Sequence, residues 1–211
     1  MMLVKVEDPN SIAIASEAIR RGELIVYPTD TMYGIGGDAR NVAVVRRIEE
    51  LKGRDGKPIS VVVADLDMAA QYCAISPLMK KFAQLLPGPY TFVLARKQNG
   101  NGNGLHGKIA HNVGGDTIGI RVPDHPFPLA LVRALGFPIT STSANHAGQP
   151  APSDFAEIQE ELKQTMGVVV DGGKCKEGEA STVVDLRGEK PVVLRSGAGY
   201  ARFQELQKSL L

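Results

Sequence analysis

The run Ile59-Ser60-Val61-Val62-Val63-Ala64 is almost wholly apolar. A strand with one wet face alternates polar and apolar residues, so a run without alternation reads as a strand covered on both faces. Such a strand needs a layer above it and a layer below it. The rest of the chain provides those layers. Val44, Val45, Ile48 and Leu51 recur at helical spacing, which makes Asn41 to Lys52 an amphipathic helix. Asp8 to Arg21 reads as a helix, with Asp8 as its cap, Pro9 in its first turn and Gly22 as its stop. Ser76-Pro77 opens another that runs to Pro87-Gly88-Pro89, one more ends at Gly136, Asp154 to Thr165 forms the next, and a last one starts at Ala201. Between them, Leu24 to Tyr27, Tyr90 to Arg96, Ile118 to Val122, Phe137 to Thr140, Val168 to Asp171, Thr182 to Leu186 and Val192 to Arg195 read as strands. The polar segments Thr29 to Asp38 and Ser141 to Ser153 read as loops. Strands interleaved with helices predict an α/β fold with a twisted, mixed sheet. No internal repeat or linker-like stretch divides the chain, so one domain over 1–211 is expected. Lys97 to Lys108, with QNGNGNGLHG, cannot offset its ordering entropy and reads as a mobile insertion.

Composition limits the function. Apolar residues are 43% and charged residues 22%, enough for a core and not a disordered profile. The net charge of +1 creates no overall field toward nucleic acid or membrane, so anion binding must come from local clusters. Cys73 and Cys175 have no metal-site spacing and are expected as buried free thiols. MMLVKVEDPN lacks a signal-peptide core, and no apolar run approaches the roughly 20 residues that span a bilayer. A soluble, cytoplasmic protein without membrane partners is expected.

Several catalytic signatures are absent. There is no Walker phosphate loop, no G-x-S-x-G elbow and no H-E-x-x-H. His106, His111, His125 and His146 are scattered, and no metal held by protein side chains is expected. Gly34-x-Gly36-Gly37 lacks the full dinucleotide fingerprint. What remains is a set of strand and helix ends rich in hydroxyls, amides and cations. PTDTMYGIG (28–36) offers Thr29, Asp30, Thr31 and Tyr33, either as an ordinary turn or as a ligand loop. ITSTSAN (139–145) places Ser141, Thr142, Ser143 and Asn145 at a strand end, where ligands of open α/β sheets gather. Lys52 and Arg54 flank Gly53, with Lys57 beyond; cations suit a helix C-terminus by themselves and also suit a phosphate. Arg121 lies inside an apolar strand, which calls for a paired acid or an anionic ligand, and Arg195 repeats the pattern. If these five cations converge, they form a positive cleft suited to a polyphosphate nucleotide plus a small carboxylate. No nucleophile or tuned base stands out, so catalysis would be positioning and charge neutralisation.

Taken in order, YPTDTMYGIG (27–36), LKGR (51–54), KPIS (57–60), PGPYTFVL (87–94), IGIRVPDHP (118–126), TSTSANHAG (140–148), ASTVVDL (180–186) and LRSGA (194–198) resemble the YrdC-like family of threonylcarbamoyl-adenylate synthases. The resemblance implies an α/β sheet around a large positively charged cavity. It implies that ATP, L-threonine and bicarbonate give threonylcarbamoyl-AMP and pyrophosphate, with Mg²⁺. It implies a downstream threonylcarbamoyl-transferase complex that modifies tRNA at position 37. By resemblance, Lys52, Arg54, Ser143 and Asn145 position the phosphates, and Lys57, Thr117, Ala151 and Arg195 line the ATP site. Thr31, Arg121, Ser141 and Ser181 would hold threonine, with Arg121 on its carboxylate. Three departures stand out: Asp55 follows the K-x-R arginine where many relatives have proline, Val62 replaces a histidine of some relatives, and Ala151 replaces a serine. The chain ends soon after LRSG, so by resemblance the short form of the family is expected. Two other readings share the features: a basic surface gripping double-stranded RNA or tRNA without chemistry, and a domain using carbamoyl-adenylate made elsewhere.

Overall fold

This computed structural model describes residues 1–53, 58–97, 109, 110, 113 and 115–210. Arg54, Asp55, Lys57, His106, His111 and the insertion from Gln98 to Lys108 lie outside the described residues. The described residues form ten strands: β1 (Met2–Lys5), β2 (Ile25–Tyr27), β3 (Gly34–Gly36), β4 (Ser60–Val62), β5 (Tyr90–Ala95), β6 (Thr117–Arg121), β7 (Ile139–Ser143), β8 (Val168–Asp171), β9 (Thr182–Asp185) and β10 (Val192–Arg195). They join in one sheet of order β1-β8-β2-β3-β7-β4-β6-β5-β9-β10. Pairs β1/β8, β2/β8, β4/β6 and β5/β9 are parallel, and the rest are antiparallel. The helices are α1 (Ser11–Arg20), α2 (Val42–Leu51), α3 (Leu66–Ala70), α4 (Pro77–Phe82), α5 (Pro126–Leu135), α6 (Glu160–Gln164) and α7 (Tyr200–Leu210).

The two-sided burial predicted for the apolar run is what the sheet shows. Val62 packs in one core cluster with Ile19, Phe127, Leu131 and Val132 of α1 and α5. Val61 and Val63 pack in the other, with Val44, Val45 and Ile48 of α2 and Phe82 and Phe203 of α4 and α7. Alternate side chains of one strand therefore bury on opposite faces, as the pleat requires. Each such side chain contributes roughly 1.5–3 kcal/mol of apolar burial. Cys73 and Cys175 are buried free thiols, and burial pushes both up to about 11.

Several boundaries differ from expectation. Asp8 does not cap α1; its side chain closes a turn by accepting from Asn10 N, and the helix begins at Ser11. β1, which the N-terminal residues form by pairing with β8, and the short α3, capped by Asp65, were not expected. Phe137 to Thr140 is too short and too early for β7, because Ser141, Thr142 and Ser143 pair with β3 and β4 on either side. Asp154 caps a 3₁₀ turn over Phe155–Glu157, not a long helix; extended, buried Ile158 separates it from α6.

The loop expected over Thr29 to Asp38 contains β3. Its glycines are the reason the strand fits: a Cβ on Gly36 would lie 2.7 Å from Tyr27 Cε1. Tyr27 is fully buried, and its hydroxyl donates to Thr140 O at 3.1 Å across the sheet. Gly36→Ala is therefore expected to destabilise the protein by about 1–3 kcal/mol through overpacking, read as a lowered denaturation midpoint. An unchanged midpoint would show that the ring can move aside.

Candidate active site

A cleft of about 550 Å³ lies over one face of the central strands, lined by alternate residues such as Thr117, Gly119 and Arg121 along β6. Its lining draws Thr31 and Tyr33 from the β2–β3 connection, Ser60 from β4, Thr91 from β5, Thr117 and Arg121 from β6, and Ser141 and Ser143 from β7. Ser181, Asp185, Arg187 and Arg195 come from β9, β10 and their flanks, and Ala151 from the loop after β7. The mixed pairing is what gathers these distant segments. Ser60 lies in register with Ser141, and Ser60 Oγ donates to Ser141 O at 2.7 Å.

Arg121 ends β6 and is 8% exposed. Its Nη2 donates to Asp30 Oδ1 at 2.9 Å and to Thr31 Oγ1 at 2.7 Å, while its Nε is buried with no hydrogen-bond partner. A guanidinium N–H left bare in a buried position costs roughly 1–3 kcal/mol unless a ligand meets it. Thr31 is itself held by its neighbours, since Thr29 Oγ1 accepts from Thr31 N at 3.1 Å. In the same cleft, Ser181 Oγ shares a hydrogen bond with Thr91 Oγ1 at 2.8 Å. Arg195, exposed as a residue, turns its guanidinium back onto Ser181: Nη2 donates to Ser181 O at 2.8 Å and to Ser181 Oγ at 3.1 Å. Desolvation, and then the charge of Arg121, hold Arg195 below the usual arginine range. Both arginines line the cleft, and the charge of one is felt at the other, which favours an anion in it.

Lys52 and Asn145 sit behind this wall. Lys52 is 1% exposed at the C-terminal end of α2. Its ammonium donates to Ser143 O at 2.8 Å and also to the backbone and side-chain oxygens of Asn145. Ser143 Oγ donates to Asn145 Oδ1 at 2.6 Å. A second cavity of about 430 Å³, lined by Asn145, Gln149, Pro152 and Glu157, meets the cleft at Met32 and Ala151. Of the residues singled out in the sequence, Thr31, Thr117, Arg121, Ser141, Ser143, Ala151, Ser181 and Arg195 line the cleft together. Lys52 and Asn145 support it from behind, and Arg54 and Lys57 fall outside the described residues. Sequence reasoning left Ser60, Thr91, Asp185 and Arg187 out of the site, and offered Asp30 only as one polar group of a turn or ligand loop. For Asp30 a signal existed: a charged residue inside an apolar strand requires a counter-charge, and Asp30 stood in a loop already under suspicion.

A mixed ten-stranded sheet with helices on both faces, bearing a hydroxyl-lined cleft with one buried and two exposed arginines, defines an α/β cleft protein. The chain belongs to the Sua5_yciO_yrdC family, described as Telomere recombination, whose model matches residues 17–197. A Bacillus subtilis relative, named Threonylcarbamoyl-AMP synthase, is 36% identical over 90% of this chain and 54% of its own length. A Vibrio campbellii relative of the same name is 30% identical over 86% of this chain and 96% of its own. The chain thus spans about half of the first and nearly all of the second. The structure of P. abyssi Sua5 complexed with L-threonine matches with a TM-score of 0.85 at 30% identity, over 97% of this chain and 60% of that one. Among the described residues, no helix is long and apolar enough to cross a membrane.

Proposed function

We propose that this chain is a nucleotidyltransferase that makes L-threonylcarbamoyladenylate and pyrophosphate from L-threonine, bicarbonate and ATP. The observation that carries the reading is Arg121: a buried strand arginine whose Nε has no partner, set among Thr31, Ser141 and Ser181 at the cleft wall. That arrangement suits the carboxylate of an amino acid. The names of the relatives and the threonine complex of P. abyssi Sua5 support the same choice.

In this reading the threonine amine and bicarbonate condense to a carbamate with loss of water. A carbamate oxygen attacks the α-phosphorus, the bond to the bridging oxygen breaks, and pyrophosphate leaves. Thr31, Arg121, Ser141 and Ser181 hold threonine. Arg195, Thr117, Ser143 and Ala151 face the nucleotide, with Arg54 and Lys57 added by family resemblance. Lys52 and Asn145 shape the wall that carries Ser143. No side chain need act as nucleophile; fixed donors and cations stabilise the departing charge. Among the described residues, no group of three His, Cys, Asp or Glu side chains could hold a metal ion. In this reading Mg²⁺ enters with the phosphates of ATP. The adenylate serves a downstream transferase complex acting on tRNA position 37, in the cytoplasm.

The test is reconstitution from purified protein, ATP, threonine, bicarbonate and Mg²⁺. Pyrophosphate and the adenylate adduct are expected in equal amounts, and both should depend on bicarbonate. Absence of bicarbonate-dependent product, with salt-sensitive binding of double-stranded RNA instead, would favour a binding module.

A further inference from the structure

Asp30 is fully buried, yet its carboxylate touches no proposed substrate position. Both of its oxygens are occupied. Oδ1 accepts from Arg121 Nη2 at 2.9 Å, and Oδ2 accepts from the backbone N of Asp124 at 3.0 Å. Its own carbonyl accepts from Glu177 N at 2.8 Å. Three segments meet on this residue: the end of β6, the turn that opens α5, and the stretch leading from β8 toward Ser181. Buried ion pairs contribute little net stability compared with well-packed apolar groups, so stability alone gives no reason for one here. Orientation does. With Nη2 held by Asp30 and Thr31, the guanidinium cannot rotate about its long stem, and the bare Nε is fixed in place.

We propose that Asp30 is a positioning residue that fixes Arg121 for the substrate carboxylate and so sets selection for an amino acid over its carboxylate-free analogue. This rests on the threonine reading given above. The anchor needs two acceptors on one side chain, because both donors, Arg121 Nη2 and Asp124 N, approach it. An amide has one acceptor oxygen. Asp30→Asn preserves shape but must release either Arg121 or Asp124.

The experiment compares kcat/KM for threonine and for threoninol, which keeps the amine and side chain but carries CH₂OH in place of the carboxylate. Asp30→Asn is expected to lower the threonine-to-threoninol ratio about 10-fold or more, the worth of a hydrogen bond to a charged group, with KM for ATP unchanged. In an Arg121→Gln background the same change should leave the ratio where Arg121→Gln put it, since Asp30 acts through Arg121. A wild-type ratio in both Asp30→Asn and Asp30→Ala, whose methyl can hold neither donor, overturns the proposal. So does an equal fall in both backgrounds, or a parallel rise in KM for ATP. Should Asp30→Asn not fold, Asp30→Ser asks the same question with a single small acceptor. If neither folds, Asp30 is a folding residue and the proposal is wrong. If the wild type makes no bicarbonate-dependent product, the threonine reading itself fails, which the wild-type control shows separately.

Discussion

Arg121→Gln is expected to lower kcat/KM for threonine about 100-fold or more, because it removes charge-assisted hydrogen bonds each worth roughly 1.5–3 kcal/mol. KM for ATP should change little, since Arg121 lies on the Thr31 and Ser141 side of the cleft. Stability should fall as well. Asp30 is fully buried, and its Oδ1 would lose its cationic donor, keeping only the Asp124 N–H on Oδ2. Removing one partner of a buried pair costs roughly 3–5 kcal/mol, because the remaining charge is uncompensated. The second substitution, Asp30→Asn, removes that stranded charge. The double variant should therefore be more stable than Arg121→Gln alone while remaining as poor an enzyme with threonine. Denaturant midpoints read the first effect and steady-state kinetics the second. Wild-type threonine kinetics in Arg121→Gln would remove the central support for the proposed function.

The layering of this fold was open to reading in the sequence because it follows from burial. A run such as Ile59 to Ala64 can be satisfied only by cover on both faces, and Val61 and Val62 do bury on opposite sides. The misreadings arise where long-range pairing overrules local character. Gly34-Ile35-Gly36 has little strand propensity, yet it pairs with β2 and β7 because only glycine leaves room for Tyr27. Ser141 to Ser143 looked like a hydroxyl-rich loop, but central sheet register extends β7 through them. The same logic separates the site residues. Arg121 stood out because a charge in an apolar strand is costly by itself. Thr91 and Ser60 did not, since a lone hydroxyl in a strand is unremarked until the sheet order sets it beside Ser181 or Ser141. The geometry also changed the meaning of Lys52, which read as a phosphate cation at a helix end and proves to be enclosed.

Lys52→Met is the variant that decides between those two meanings. If the ammonium served only a bound phosphate, methionine would spare the unliganded fold and remove activity alone. The structure predicts both losses. The ammonium donates to Ser143 O, Asn145 O and Asn145 Oδ1, and the residue is 1% exposed. Methionine matches the length of the stem and donates nothing, so these oxygens lose a buried partner. Each buried acceptor left bare costs roughly 1–3 kcal/mol; the relief of no longer burying an ammonium offsets part of the total. A net loss of about 2–4 kcal/mol is expected, read as a fall of roughly 5–15 °C in Tm without any ligand present. The turn that Lys52 ties also carries Ser143, whose hydroxyl donates to Asn145 Oδ1 and whose backbone pairs with Gly34 of β3. Loosening it should raise KM for ATP more than KM for threonine, the reverse of the Arg121 pattern. Lost activity with an unchanged Tm would return Lys52 to the role of a simple phosphate contact and would detach the Ser143–Asn145 wall from α2.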